Sequence, residues 1–136
     1  MSEVTYSRED SLSVDEFLAV MKSSGLGERR PLSDGSRVAR MLAGSNLIVT
    51  ARDQTNKLIG VSRALSDFSY CTYLSDLAVD KAHQGKGIGK QLIVETQRAA
   101  GPECMCLLLS APAAAPFYKA IGMTQPDNAF MFKRER

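Results

Sequence analysis

Histidine and cysteine are scarce in this sequence, which limits the chemistry it can carry out. The 136 residues include one histidine, His83, so a zinc centre or a histidine-activated nucleophile would have to be built around that residue alone. The three cysteines, Cys71, Cys104 and Cys106, lack CxxC spacing and leave at least one thiol unpaired. We interpret them as small buried hydrophobic residues in a reducing compartment, and we predict no metal site.

Strong charge and long apolar runs are also missing. The formal net charge is +2, and the one basic run, residues 133–136, is broken by Glu135, so nucleic acid is not an expected partner. The first ten residues lack the apolar core of a signal peptide, and the most apolar later stretch, residues 104–118, is interrupted by two prolines. We expect a cytoplasmic protein without a membrane partner, and a homodimer is left open.

What is present is an ordinary globular composition, with 44% hydrophobic and 24% charged residues. A chain of this length is enough for a single domain over residues 1–136. Residues 4–6 suit a short strand, and Ser13 with Glu16 has the capping-box spacing that begins a helix. A second apolar stripe at helical spacing ends at Gly44, so two short helices are predicted before the main strands.

From residue 47 the pattern becomes that of strands. Residues 47–52 and 57–66 flank a polar turn and predict a hairpin, which residues 70–79 extend as a third antiparallel strand. A glycine-containing loop and a helix over residues 88–100 come next. The helix leads to a continuous apolar run at 104–110, which predicts a parallel strand buried on both faces.

The carboxy-terminal residues complete the predicted fold. A last helix through Phe117 and Ala120 ends at Gly122, and residues 129–133 suit a closing strand. The fold class is therefore α/β, or more strictly α+β, because the mixed sheet is antiparallel in its first strands and parallel in its middle. About four helices accompany it.

The loop from Gln84 to Lys90 lies where a predicted strand turns into a helix. The free N–H groups of the first helical turn, together with the helix dipole, make such a junction an anion site. Three alternating glycines let the backbone approach phosphate oxygens, and Lys86 and Lys90 add positive charge. We predict a phosphate-binding loop; a turn that only caps the helix is the alternative.

Spacing excludes two common phosphate motifs. A P-loop requires G-x-x-x-x-G-K-[ST], but Gln84 takes the first glycine position and Gln91 the hydroxyl position. The dinucleotide fingerprint G-x-G-x-x-G fails because Lys90 takes the last position counted from Gly85, and because the preceding chain has the pattern of a hairpin. Neither a nucleoside triphosphate nor a dinucleotide is predicted.

Two motifs resemble one family. Gln84-x-x-Gly87-x-Gly89 matches the Q/R-x-x-G-x-G/A signature of the GNAT acetyltransferase superfamily, and the segment FYKAIGM at 117–123 is similar to its F-Y-x-x-x-G-F element. The resemblance covers most of residues 45–133. It implies a GNAT-like fold, in which a bulge splays the parallel central pair of strands.

The resemblance also implies that acetyl-coenzyme A (acetyl-CoA) is the donor. In the family the signature loop binds the pyrophosphate, and the splayed strand pairs with the pantetheine arm. Carried over to this sequence, the predicted cofactor-binding residues are Leu77, Ala78, Val79, Gln84, Gly85, Lys86, Gly87, Ile88, Gly89, Lys90, Phe117 and Tyr118.

Two side chains are catalytic candidates. An amine must be neutral to attack a thioester, and Asp76, just before the pantetheine segment, is the first candidate for the base, directly or through water. A solvated or salt-bridged residue is the alternative for Asp76, and Asp80 is a weaker candidate because it occupies the turn. The resemblance implies that Tyr118 protonates the departing thiolate, the alternative being an aromatic side chain that only packs. The backbone N–H near Ala78 is predicted to stabilise the oxyanion.

Two positions depart from the family pattern, and the acceptor side is less defined. Ala111 stands where many members have an asparagine that bonds the pantetheine arm, and Met123 replaces an aromatic residue. The acceptor is expected against residues 26–36. There Arg29 and Arg30 either bind an acidic group on the substrate or are simply solvated.

These features together predict an acetyl-CoA-dependent N-acetyltransferase that moves the acetyl group directly to a primary amine of a small molecule. Two alternatives stay open: transfer to a peptide N-terminus or lysine, and a CoA-binding module with little catalysis. An enclosed acceptor pocket would favour the small molecule, whereas an open groove across the end of the sheet would favour a peptide.

Overall fold

The computed structural model describes residues 3–136, except the side chain of Glu28. The strands in this range are β1 (Thr5–Glu9), β2 (Leu47–Arg52), β3 (Leu58–Ser66), β4 (Cys71–Val79) and β5 (Met105–Leu107). The α-helices are α1 (Val14–Ser24), α2 (Gly35–Ala43), α3 (Ile88–Ala100) and α4 (Ala115–Ala120). Short 3₁₀ turns lie at Leu26–Arg29, Lys81–His83 and Pro112–Ala114. Over the same range no helix is both long and apolar enough to cross a membrane.

The strands form one mixed sheet in the order β1-β2-β3-β4-β5. The first three pairings are antiparallel, and β4 pairs with β5 in parallel through the crossover helix α3. The mixed sheet predicted from the sequence is confirmed. Its parallel edge places the loop that begins α3 at the end of β4, as a βαβ unit requires.

Two hydrophobic clusters lie on opposite faces of the sheet. Helices α1 and α2 cover one face, where Phe17 and Met21 pack with Val38 and with Val61 of β3. Helix α3 covers the other face, where Leu92 packs with strand residues that alternate with the first set. Because helices cover both sides, nearly every residue of β2 and β3 is buried, without the alternation of a half-exposed strand.

Local signals begin and end the first two helices as expected. The Ser13 hydroxyl accepts the backbone N–H of Glu16 at 3.1 Å and donates to its carboxylate at 3.2 Å. Gly25 ends α1 with a φ of 88°, a left-handed conformation that glycine adopts without strain. Gly44 is the C-cap of α2. These caps fix the start of the segment that faces the candidate site.

A bulge at Ser75 divides β4 into two parts. Arg63 of β3 lies opposite Asp76, but the next residue, Ala64, lies opposite Leu74, so Ser75 has no partner. The extra residue reverses the alternation: Leu74 packs in the α3 cluster, whereas Ala78, four residues later, packs in the α1 and α2 cluster. Asp76 therefore points to the α1 side of the sheet.

The parallel pair separates beyond this bulge. Pairing between β4 and β5 is limited to residues 71–73 with 105–107. From Leu74 onward β4 continues alone along this edge, and the chain after Leu107 diverges from it. The splayed pair predicted from the family resemblance is confirmed, and it leaves strand backbone free to face a ligand.

Two strand predictions in the carboxy-terminal third are wrong. β5 has three residues instead of the seven predicted at 104–110, and none of the three is fully buried. Residues 129–133 form no strand, and the side chains of Phe130 and Phe132 are 97% and 104% exposed. A strand needs a partner edge, and the three residues of β5 offer too short a ladder to order another strand.

The cysteines are also less buried than predicted. Cys71 is exposed, and Cys104 and Cys106 are intermediate. The Cys71 thiol lies 3.7 Å from a carboxylate oxygen of Asp67, and this nearby charge raises the pKa of the thiol. Cys71 is exposed because the side chains of β4 alternate in burial from its first residue, and the next residue, Thr72, is buried. All three thiols are free.

Candidate active site

The glycine loop presents an open backbone surface at the start of α3. Gly85 and Gly87 have φ angles of 79° and 83°, and a methyl group added at either position would meet no atom within 4 Å. No side chain caps the helix at Gly87. The N–H groups of the first turn, which have no helical acceptor, therefore face open space, with Lys86 and Lys90 exposed beside them.

Gln84 and Asp80 hold this loop in place. The Gln84 side-chain amide donates to the carbonyl oxygens of Val79 at 2.8 Å and Ser24 at 3.4 Å, which ties the loop to the end of β4 and the end of α1. Asp80 caps the turn before the loop by accepting the N–H of Ala82 at 3.3 Å. The amide nitrogen of Gln84 is thus used within the protein, and Asp80 has the turn role assigned from the sequence.

The ring of Phe117 packs on the start of α3. A methyl group at Gly89 would lie 3.1 Å from this ring, a tight contact that would require the ring to shift. The Phe117 and Tyr118 rings meet edge to face, with centroids 5.0 Å apart. The two motifs recognised separately in the sequence therefore touch each other, and α4 is docked against the glycine loop.

The splayed strands enclose a cleft of about 490 Å³, which we call the splay cleft. Its walls come from β4, from the diverging segment 108–111 and from the chain after α1. The lining residues of β4 are Tyr73, Leu74, Ser75 and Leu77, and those after α1 are Leu26, Arg29, Arg30 and Pro31. Tyr118 lines it, as do Arg37 of α2 and Met131. Among the predicted cofactor residues, Leu77 and Tyr118 meet in this cleft, whereas Ala78 is a buried core residue.

Asp76 lies beneath the splay cleft with a fully buried side chain. One carboxylate oxygen accepts the Nε–H of Arg30 and the other accepts the Nε–H of Arg63, both at 2.5 Å. Arg30 also donates to the Ser75 carbonyl oxygen at 2.8 Å, and Arg63 to the Ser75 hydroxyl at 2.9 Å. The three charged side chains therefore hold the bulge in place through the carbonyl oxygen and the hydroxyl of Ser75.

Arg63 did not emerge from the sequence as a site residue. A clue was present in the sequence: the other residues of β3 are apolar or small, and an arginine buried among them needs a partner for its charge. The partner, Asp76, is 13 positions away across a hairpin. Of the two arginines that were singled out, Arg30 is half-buried in this cluster, while Arg29 is exposed at the cleft.

Tyr118 is half-buried at the wall of the splay cleft. Burial raises the pKa of its phenol above the ordinary value, and the charge of Arg30 opposes this rise. The phenol consequently keeps its proton throughout the neutral range. Ala111, seven residues earlier, lines the same cleft with a methyl group and offers no side-chain hydrogen bond.

Comparison with known proteins identifies the class. A model of the acetyltransferase (GNAT) domain matches residues 43–124. An uncharacterized N-acetyltransferase, ycf52, of Pyropia yezoensis is 31% identical over 131 residues, covering 84% of this chain and 74% of that protein. The chain belongs to the GNAT acetyltransferase family. It spans only 30% of the length of another curated relative that it matches.

Solved structures share the fold. A GNAT-family acetyltransferase from Streptococcus pneumoniae TIGR4 superposes with a TM-score of 0.74 at 19% identity, covering 98% of this chain and 99% of that one. An aminoglycoside N-acetyltransferase in complex with CoA has a TM-score of 0.70 at 17% identity, covering 100% and 97%. At these identities the likeness concerns the backbone architecture alone.

Proposed function

We propose that this chain is an acetyl-CoA-dependent N-acetyltransferase whose acceptor is a primary amine of a small molecule. The carrying observation is that the open glycine loop and the splay cleft are joined through α4. Phe117 packs on the loop at Gly89, and its neighbour Tyr118 lines the cleft. A donor held at the loop and an acceptor held in the cleft would meet beside Tyr118.

The loop residues suit the diphosphate of CoA. Positive φ angles and empty space at Gly85 and Gly87 allow phosphate oxygens to approach the backbone N–H groups of residues 85–90, and Lys86 and Lys90 supply countercharge. The free edge of β4 at residues 77–79 is the proposed contact for the pantetheine arm. Bound acetyl-CoA supplies a thioester-activated acetyl group.

Tyr118 is the proposed general acid. Its raised pKa keeps the Oη proton available at neutral pH, and that proton would pass to the departing sulfur. The acid form is lost only when the pH rises above the ordinary tyrosine value, so turnover should show no loss from this group between neutral and mildly alkaline pH.

The assignment of Asp76 as the base stays a prediction. Full burial and a hydrogen bond from an arginine to each carboxylate oxygen support a positioning role instead. Through Arg30 and Arg63 it holds Ser75, and with it the bulge that opens the cleft. Proton removal from the amine through water, the other route considered from the sequence, agrees with this arrangement.

The dimensions of the splay cleft support a small acceptor over a peptide. Its volume of about 490 Å³ is within the range typical of small-molecule pockets. Residues 26–31 close one side, and Met131 and Arg134 from the last segment close another. A peptide would need a groove that continues past these walls.

Thermal unfolding with acetyl-CoA tests donor binding. At a ligand concentration 100-fold above the dissociation constant, the folded state should gain about 2.7 kcal/mol. Gly87→Ala should remove most of this gain, because a methyl group strains a positive φ and enters the phosphate cradle. Gly101→Ala is the matched control, since Gly101 also has a positive φ and open surroundings but lies at the other end of α3.

The possible outcomes distinguish a wrong proposed function from a wrong location of the donor site. No gain for the wild-type protein would reject the proposed function. An equal gain in the wild type and Gly87→Ala would place the donor elsewhere.

Turnover of Tyr118→Phe tests the acid. We expect a loss of about 100-fold or more in kcat, with acetyl-CoA affinity unchanged, because the variant removes only the proton donor. Tyr73→Phe is the control, since Tyr73 lines the same cleft. Equal turnover in the two variants would rule out Tyr118 as the acid.

A further inference from the structure

The acceptor side of the splay cleft concentrates arginines from four parts of the chain. Arg29 and Arg30 follow α1, Arg37 lies on α2, Arg63 on β3 and Arg134 in the last segment. Among the described side chains that line the cleft, none is acidic. The sequence does not show this convergence, because only the first two arginines are adjacent in the chain.

Among the side chains that the structure describes, most of this positive charge has no salt-bridge partner. The one carboxylate beneath the cleft, Asp76, is shared by Arg30 and Arg63. Arg29, Arg37 and Arg134 form no salt bridge within 4.0 Å with any described side chain.

Arg37 has two other polar neighbours, which lie outside the cleft and compensate its charge only in part. Its Nη2 donates to the backbone oxygen of Arg136 at 3.1 Å, which leaves other guanidinium N–H groups available. The carboxylate of Asp34 accepts the backbone N–H of Arg37 at the start of α2, but Asp34 is exposed and lies outside the cleft.

We infer that the acceptor is a small amine that also carries a carboxylate or phosphate group, which Arg29, Arg37 and Arg134 hold while the amine faces Tyr118. The inference rests on the proposed acetyl transfer and adds the chemical class of the substrate. Guanidinium groups bind such oxyanions through paired N–H donors, and a partly enclosed cleft strengthens that attraction.

The same charges disfavour polycationic acceptors. An aminoglycoside carries several ammonium groups, and each would meet arginines without a compensating acid at the cleft wall. Sharing a fold with an aminoglycoside N-acetyltransferase therefore does not carry that substrate class to this chain. Charge selects among amines that the cleft volume alone would admit.

Matched amines test the inference with the full chain and acetyl-CoA. Thiol release is measured with β-alanine against β-alaninamide, phosphoethanolamine against ethanolamine, and sisomicin as the polycation. We expect kcat/KM at least about 10-fold higher for the anionic member of one pair, a difference that a single charge-assisted contact can produce. The pair that responds identifies carboxylate or phosphate as the recognised group.

The outcomes distinguish failure of the anionic substrate class from failure of the proposed acetyl transfer. Equal rates within both pairs, or sisomicin as the best acceptor, would overturn the anionic class and leave acetyl transfer standing. Thiol release from no amine would count against the proposed function. In that case calorimetric titration with N-acetyl-β-alanine and N-acetyl-β-alaninamide decides the inference, and equal affinities would overturn it.

Charge removal at one helix locates the binding group. Arg37→Gln should raise KM for the anionic amine about 10-fold, with kcat and the KM of its neutral partner changed less than about two-fold. Arg40→Gln is the control, because Arg40 is an exposed arginine one turn along α2 and outside the cleft. Equal KM values in the two variants would overturn the role of Arg37, provided that thermal unfolding shows both to be folded. Arg29→Gln with Arg134→Gln provides an independent test at the other walls.

Discussion

Two ion clusters connect the sheet to its neighbouring segments, and their charges are reversed. In the first, Arg52 of β2 is held by two carboxylates, Glu9 at 2.9 Å and Glu16 at 2.5 Å. In the second, Asp76 of β4 is held by two arginines. The first cluster is partly exposed and has surplus negative charge in solvent, whereas the second has surplus positive charge at the splay cleft.

The first cluster is expected to contribute to stability alone, whereas the second also determines the charge of the splay cleft. Arg52 of β2 connects its strand to β1 and to α1, and water screens the surplus negative charge of the two glutamates. Asp76 joins Arg30 and Arg63 to the bulge, and its burial leaves their excess charge in a cleft where screening is weaker. The inner cluster should therefore dominate stability, and it alone should affect catalysis.

The largest expected effect is that of Asp76→Asn. Removing the buried carboxylate leaves Arg30 and Arg63 without their shared counterion, at a cost of about 3–5 kcal/mol in the free energy of unfolding. Urea denaturation measures this cost. A loss below about 1 kcal/mol would mean that the arginines find water or other partners, and the contrast with the outer cluster would disappear.

A smaller effect is expected for Arg52→Gln. Glu9 and Glu16 lose their counterion but keep access to water, so the free energy of unfolding should fall by about 1 kcal/mol. Arg98→Gln is the control, because Arg98 forms a single exposed pair with Glu95 and should change stability little. A loss from Arg52→Gln as large as that from Asp76→Asn would contradict the proposed difference between the clusters.

The smallest effect is a dependence on pH. Hydrogen bonds from Arg52 lower the pKa of both Glu9 and Glu16. A lowered carboxyl pKa contributes stability above the unfolded-state value, and that contribution is lost as the pH falls through the folded-state value. Unfolding measured between about pH 6 and about pH 3 should therefore show a shallower stability loss in Arg52→Gln than in the wild type. Identical slopes would show that the two acids gain nothing from Arg52.

Features governed by nearby residues were predictable from the sequence. The caps at Ser13 and Gly44 depend on groups within about one helical turn, and the order of strands follows from short connections. The glycine loop was located for the same reason. Its position after β4 and before α3 requires only the local change from strand to helix periodicity.

The direction of side chains in β4 could not be predicted in this way. Strict alternation would place Leu74, Asp76 and Ala78 on one face, but the unpaired Ser75 moves the last two to the other. A bulge is a property of two paired strands, so neither sequence segment contains it alone. Asp76 was predicted as the base from its place just before the pantetheine segment, whereas Arg63, its buried partner, was not noticed.

The missing closing strand has a similar origin. Residues 129–133 have suitable composition, but hydrogen bonding to an edge depends on how long that edge is, and β5 ends after three residues. Without that strand, Met131 and Arg134 contribute to the cleft wall instead of to the sheet. The convergence of five arginines depends on this arrangement, so no short segment of the sequence could predict it.

The contact between Phe117 and Gly89 has a consequence for engineering. Positions 85 and 87 resist substitution because of their backbone angles, so a D-amino acid would suit them. Position 89 is limited only by the ring, and Phe117→Leu could make room for alanine there. A library that varies residues 89 and 117 together would change the spacing between the donor and acceptor sites without altering the backbone angles at positions 85 and 87.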